Sequence, residues 1–255
     1  MALQLAANLS LLFPADTAWA DRCQRAAKQG FRFAEILFPY DVPASDYRRW
    51  LDDAGLEAVL INTPVEGHSG LAAVKDAETR FQRDIVRAVE TANVLGARAI
   101  HVMAGRSESG VEVDQTTLLH NLEFALHLVE GTGITLMLEA LNQHDMPGYF
   151  YHAPEEVVAI LKQLPSPKLR QQFDFYHTLR EGLALLDELD RCRPYIGHVQ
   201  IAQPPTRCEP RLEESNMLPA LHRLEEWKYS GWVGCEYRPA STFEAGIDWI
   251  KPLQA

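Results

Sequence analysis

The chain has 255 residues, 47% of them hydrophobic and 23% charged, which supplies a large core and excludes disordered, collagen-like and coiled-coil classes. The length suits one large α/β domain spanning residues 1–255 and exceeds what a small helical domain needs. Lys and Arg number 24 against 35 Asp and Glu, a formal charge of −11, so neither nucleic acid nor a membrane surface is an expected partner. An anionic substrate then needs a local positive centre, from arginines or a bound cation. Cys23, Cys192, Cys208 and Cys235 show no C-x-x-C spacing, and the reading expects reduced thiols in a cytoplasm. Met1–Asn8 lacks a basic leader pattern, and no apolar stretch approaches the roughly 18 residues that span a bilayer.

Short β-rich runs alternate with amphipathic stretches along the whole chain. The pattern predicts a strand over Leu3–Asn8 and a helix over Thr17–Gln29, then Phe33–Phe38 and Ser45–Ala54, Ala58–Thr63 and Asp76–Leu95, Ala99–Ala104 and Gln115–Glu130. The second half continues with Ile134–Leu141 and Pro154–Leu164, Arg170–Phe175 and Arg180–Cys192, Gly197–Ala202 and Leu212–Trp227, Trp232–Tyr237 and Thr242–Lys251. Gly30, Gly55, Gly96 and Gly131 each stand between a helix and the next strand, where a left-handed helix end favours glycine. Eight such units at a period of roughly 30 residues point to an α/β fold, a (β/α)8 TIM barrel, and no nucleotide-binding glycine motif argues for an open doubly wound sheet.

A barrel of this kind carries its active site at the C-terminal strand ends. There the chain places Glu139, Asp174, Gln200 and Glu236, each interrupting an apolar or small-residue run. Side chains alternate along a strand, so Glu139 shares a face with Met137, Asp174 with Gln172, Gln200 with His198 and Glu236 with Gly234. If that face points inward, three carboxylates and an amide converge on one rim. Such a cluster repels itself unless a cation occupies its middle, and an all-oxygen donor set favours Mg2+ or Mn2+. This chemistry suits proton abstraction beside a carbonyl, with Glu139 and Glu236 as the acid/base pair; one glutamate moving both protons is equally compatible.

The segments Phe38-Pro-Tyr-Asp41, Leu138-Glu-Ala-Leu-Asn142, His144-Asp-Met-Pro-Gly148, Asp174-Phe-Tyr-His177, Ile196–Ala202 and Gly231–Tyr237 together resemble the hydroxypyruvate isomerase family of xylose-isomerase-like TIM barrels. The resemblance runs nearly end to end. It implies that Glu139, Asp174, Gln200 and Glu236 are metal ligands, that Glu139 and Glu236 are catalytic, and that His177 and Arg207 contact substrate oxygens. The implied reaction converts hydroxypyruvate to 2-hydroxy-3-oxopropanoate (tartronate semialdehyde), a small 2-oxo acid chemistry. The chain departs from the family pattern at Glu139-Ala-Leu-Asn142, in the loop after strand seven (Ala202–Glu214), which lacks the usual glycines, and in Pro64–Gly70 after strand three.

Other readings of the same residues are a 2-oxo-tetronate isomerase, a ketose 3-epimerase, or a barrel that binds metal or ligand without turnover. A DNA-repair endonuclease fits poorly, since its metal cluster needs more histidines and a basic surface. His101 and His198 are expected to line the barrel wall. Glu35 belongs either to the inward polar layer or to a salt bridge with a nearby Arg or Lys, and a homo-oligomer is an open option.

Overall fold

The computed structural model describes residues 3–253. The chain runs β1 (Gln4–Asn8), α1 (Trp19–Lys28), β2 (Phe33–Ile36), α2 (Ala44–Ala54), β3 (Glu57–Asn62), α3 (Glu78–Leu95), β4 (Ala99–His101), α4 (Gln115–Val129) and β5 (Thr135–Glu139). It continues through α5 (Pro154–Gln163), β6 (Leu169–Asp174), α6 (Phe175–Arg180), α7 (Leu185–Cys192), β7 (Ile196–Ile201), α8 (Met217–Glu226), β8 (Trp232–Cys235), α9 (Phe243–Gly246) and a 3-10 turn at Asp248–Leu253. All strand pairs are parallel, in sequence order, and β1 pairs with β8, so the sheet closes into the expected eight-stranded barrel.

Alternation along the strands builds two apolar layers. Outward residues such as Ile61, Ile100, Leu136 and Leu138 pack with Leu51, Ile85, Leu122 and Ala125 of the helices. Around the closing strands, Phe173, Val199 and Val233 meet Leu189, Leu221 and Leu224. Each such fully buried side chain contributes about 1.5–3 kcal/mol. Inside the barrel, Ala6, Leu60, Ala99 and Met137 form a small plug with Phe33 and Trp232. The buried polar side chains Glu139, Gln172, Asp174 and Gln200 lie on the C-terminal side of this plug.

Several boundaries differ from the sequence-based expectation. The helix expected over Arg180–Cys192 starts only at Leu185 (α7), because an unexpected helix, α6, starts directly after Asp174, whose carboxylate accepts from Tyr176 N at 2.7 Å, and the chain turns at Gly182 with φ +79° before α7. Helix α8 starts at Met217 instead of Leu212: Ser215 and Asn216 are left-handed, and Pro219 is confined to the first turn, where its missing N–H has no intrahelical partner to lose. The last helix is short and passes into the 3-10 turn. Gly55 and Gly96 end α2 and α3 with φ +69° and +71°, as their positions predict. Buried Arg22 donates to the carbonyls of Leu9, Pro14, Ala15 and Thr17, which shapes the β1–α1 loop at the mouth of the barrel. Among the described residues no helix is long and apolar enough to cross a membrane.

Candidate active site

Strand β5 ends on Glu139, β6 ends on Asp174, Gln200 precedes the last residue of β7, and Glu236 follows β8 directly. Asp174 pairs in register with Gln200, and Gln200 with Gly234. All four polar side chains are buried. The parity argument therefore holds: the rim carboxylates do face the barrel interior.

Beneath them lies a polar layer whose connections the sequence did not disclose. Glu35 is fully buried and accepts from Asn8 Nδ2 at 2.9 Å and Gln200 Nε2 at 3.0 Å, while His198 Nε2 lies 2.5 Å from its other oxygen. Its hydrogen-bond and ion-pair partners are thus not the Arg or Lys that the salt-bridge reading expects. Gln172 Nε2 donates to Glu139 Oε2 at 2.8 Å and to Gln200 Oε1 at 2.7 Å. A carbonyl oxygen has two lone pairs, so Gln200 Oε1 keeps one for a ligand. Gly234 makes room for this layer, since a Cβ there would sit 1.9 Å from Glu35 Oε1.

Arg207 enters from the β7–α8 loop. Its backbone is left-handed, with φ +52°, and its carbonyl accepts from Arg238 N at 2.9 Å. The guanidinium lies 5.0 Å over the Tyr176 ring, donates to Glu236 Oε2 at 2.5 Å and stands 3.9 Å from Asp174 Oδ2. The altered loop thus still delivers this cation to the rim. His177, on α6, is buried, and its Nδ1 accepts from Asn142 N at 3.1 Å and lies 2.7 Å from Asn142 Nδ2. Asn142 Oδ1 accepts from His144 N and Asp145 N, which identifies Nδ2 as the donor end of the amide. In neutral His177 the proton is therefore on Nε2.

A cavity of about 270 Å3 opens above this group, walled by Glu139, Glu236, His101, His177 and Arg207 on its polar side and by Phe38, Val65, Met103, Leu141 and Met146 on its apolar side. Asn62, His68 and Ser69 add further polar lining. Asp174 and Gln200 do not line it. Sequence reasoning missed Asn142 and Asp145, in the loop after β5, and Tyr176, in the short helix α6, none of which carries strand parity.

Burial, with Glu236 and Asp174 close by, raises the Glu139 carboxyl well above its ordinary range. Burial and Glu236 push Asp174 up to about 7. Burial likewise raises Glu236, although Arg207 opposes the shift. His177 is lowered by burial, Arg207 and His101, and His101 is lowered to about 3 by burial and His198. Both imidazoles are neutral at physiological pH.

These residues fit a divalent cation. Glu139 Oε1 and Asp174 Oδ2 are buried without a hydrogen-bond partner, a costly state for carboxylate oxygens. Three ionised carboxylates against one guanidinium leave a formal charge of −2, which one divalent ion cancels. Ligand atoms of Glu139, Asp174 and His177 also lie within 4.8 Å of one another. The tautomer argues for a different use of His177: Nδ1 is engaged by Asn142 and Nε2 carries a proton, so the ring offers a donor rather than a lone pair.

The comparisons agree with this architecture. A family profile described as xylose isomerase-like TIM barrel matches residues 23–253. The chain is 40% identical over 256 residues to 2-oxo-tetronate isomerase of Cupriavidus necator, covering 98% of each chain. It is 33% identical to hydroxypyruvate isomerase of Escherichia coli, covering 99% of this chain and 100% of that one. A solved structure from Brucella melitensis titled AP endonuclease, family 2, superposes with a TM-score of 0.89 at 33% identity, covering 98% of both chains. The chain belongs to the xylose isomerase-like TIM barrels and, among them, to the hydroxypyruvate isomerase family, whose named members are isomerases.

Proposed function

We propose that the protein is a divalent-cation-dependent isomerase that interconverts hydroxypyruvate and 2-hydroxy-3-oxopropanoate through an enediolate. The observation that carries this reading is the convergence of Glu139, Asp174 and Glu236 on one buried rim, beside neutral His177 and cationic Arg207. Relatives named hydroxypyruvate isomerase and 2-oxo-tetronate isomerase support it.

Glu139, Asp174, Gln200 and Glu236 would hold Mg2+ or Mn2+, which supplies positive charge to the carbonyl and neighbouring hydroxyl oxygens and lowers the cost of the enediolate. In the forward direction Glu139 or Glu236 takes a proton from C3. The C–H electron pair becomes the C2–C3 double bond, and the former carbonyl oxygen on C2 takes up the negative charge. The C3 hydroxyl proton passes to the C2 oxygen, and a protonated glutamate returns a proton to C2, leaving an aldehyde at C3. His177 Nε2–H donates to an oxygen on which charge develops, and its lowered basicity keeps the ring neutral, so it acts as a hydrogen-bond donor without adding a charge. Arg207 meets the substrate carboxylate, which answers the electrostatic problem that a −11 chain poses for an anionic substrate.

The higher identity to 2-oxo-tetronate isomerase, 40% against 33%, favours a second reading in which the substrate is one carbon longer. A reducing cytoplasm suits the four free cysteines. Turnover compared on hydroxypyruvate, 2-oxo-tetronate and free ketoses tests the proposal: the two acids should react and the ketoses should not. Preference for a free ketose would reassign the site to epimerase chemistry, and turnover of none would leave a binding barrel.

A further inference from the structure

Two groups assigned to substrate, His177 on α6 and Arg207 in the β7–α8 loop, come from different elements, yet one carboxylate lies behind both. Asp145 Oδ2 accepts from Tyr176 Oη at 2.6 Å and from Asn142 Nδ2 at 3.1 Å. The Tyr176 ring is the surface on which the Arg207 guanidinium lies, at 5.0 Å, and the Tyr176 hydroxyl also stands 3.4 Å from Pro205 O in the loop that carries Arg207. The remaining proton of Asn142 Nδ2 faces His177 Nδ1 at 2.7 Å, so the same amide sets the imidazole's orientation and tautomer.

We infer that Asp145 is a positioning residue that fixes both substrate-facing donors, His177 through Asn142 and Arg207 through Tyr176. The inference rests on the isomerase reading above. Asp145 needs no contact with substrate for this role. Its charge strengthens both hydrogen bonds, because bonds to an ionised acceptor are roughly twice as strong as neutral ones. The arrangement has a chemical purpose. For an arginine held only by Glu236, the substrate carboxylate would compete with its single anchor, whereas a ring clamped by Asp145 holds the guanidinium plane in place while its hydrogen bonds rearrange. The loops after β5 and β7, which flank β6 and its helix α6, thereby both meet the Tyr176 hydroxyl.

The test is steady-state kinetics of the full-length enzyme with saturating Mn2+ on hydroxypyruvate and 2-oxo-tetronate, for wild type, Asp145→Asn, Asp145→Ala, Tyr176→Phe, Arg207→Ala and Asp145→Ala/Arg207→Ala. Loss of the charged acceptor should raise KM by about 10- to 100-fold, from hydrogen bonds worth about 1.5–3 kcal/mol, with a smaller fall in kcat. Tyr176→Phe should reproduce part of the KM increase, and Asp145→Asn should be milder than Asp145→Ala because it keeps an acceptor. The double variant should be less impaired than the product of its two single effects, since Asp145 acts partly through Arg207. Circular dichroism and melting confirm folding of each variant, and Tyr176→Phe keeps the comparison open if Asp145→Ala does not fold. Unchanged KM in Asp145→Ala and Tyr176→Phe, or full additivity with Arg207→Ala, would overturn the inference while leaving the isomerase reading intact. Wild type that turns over neither acid would defeat the isomerase reading and this inference with it.

Discussion

Arg207 Nη2 lies 2.5 Å from Glu236 Oε2, although the two residues are 29 positions apart and come from separate loops. This pair places a rim guanidinium against one of three buried carboxylates. The remaining two, Glu139 and Asp174, each keep an oxygen without a hydrogen-bond partner. Arg207 thus neutralises part of the rim's charge, and the unpartnered oxygens of Glu139 and Asp174 are a group that could hold a cation.

Arg207→Ala should lower kcat/KM by about 30-fold or more, because truncating one member of a buried charge pair costs about 2–5 kcal/mol. Arg207→Lys should recover only part of this, since an ammonium restores charge without the planar contact to Tyr176. Steady-state kinetics on both variants checks the prediction, and full recovery by lysine would remove the planar contact from the account.

The metal-free protein should lose stability as pH rises. The folded Asp174 carboxyl sits near 7 against an ordinary value of 3.8, and Glu139 and Glu236 are raised too. Between these limits the folded state binds protons that the unfolded chain has released. The contribution of these carboxyls is therefore fully present below about pH 4 and is lost as pH climbs through about 7, whereas His101 and His177, held below 6.5 by burial, remove stability as pH falls below about 6.5. Denaturant titrations across pH 6.5–8, where the histidines are largely neutral in both states, should show this fall without divalent ions and a flatter curve with Mg2+ or Mn2+. Identical curves would argue against a cation at the rim.

Gly234→Ala should destabilise the fold by about 1–3 kcal/mol, the usual cost of overpacking. The added methyl would meet Glu35 at 1.9 Å, and Glu35 is already committed to Asn8, His198 and Gln200. Chemical denaturation measures the loss; a wild-type midpoint would show that this polar layer yields easily.

Glu139, Asp174, Gln200 and Glu236 were legible in the sequence because each breaks an apolar run at a strand end with the same parity. Glu35 shares that parity with Phe33, but its partners come from β1 and β7 and no local pattern names them. Asp145 was illegible in this role for a different reason: it lies in a loop with no period, and its importance arises only when α6 brings Tyr176 beside it. The α6 helix was itself hidden, since a single six-residue turn after a strand carries too little amphipathic pattern to separate it from α7. Arg207 could be placed in the right loop, while its direction depends on a left-handed backbone that composition does not reveal.

The central claim is that Glu139 and Glu236 move the substrate proton. Proton NMR of hydroxypyruvate in D2O, with enzyme and Mn2+-free Mg2+ buffer, measures solvent deuterium entering the C3 position. Wild type should exchange that proton, and Glu139→Gln or Glu236→Gln should abolish conversion to 2-hydroxy-3-oxopropanoate while the variants remain folded. Near-wild-type turnover in either variant would contradict the assignment of that glutamate.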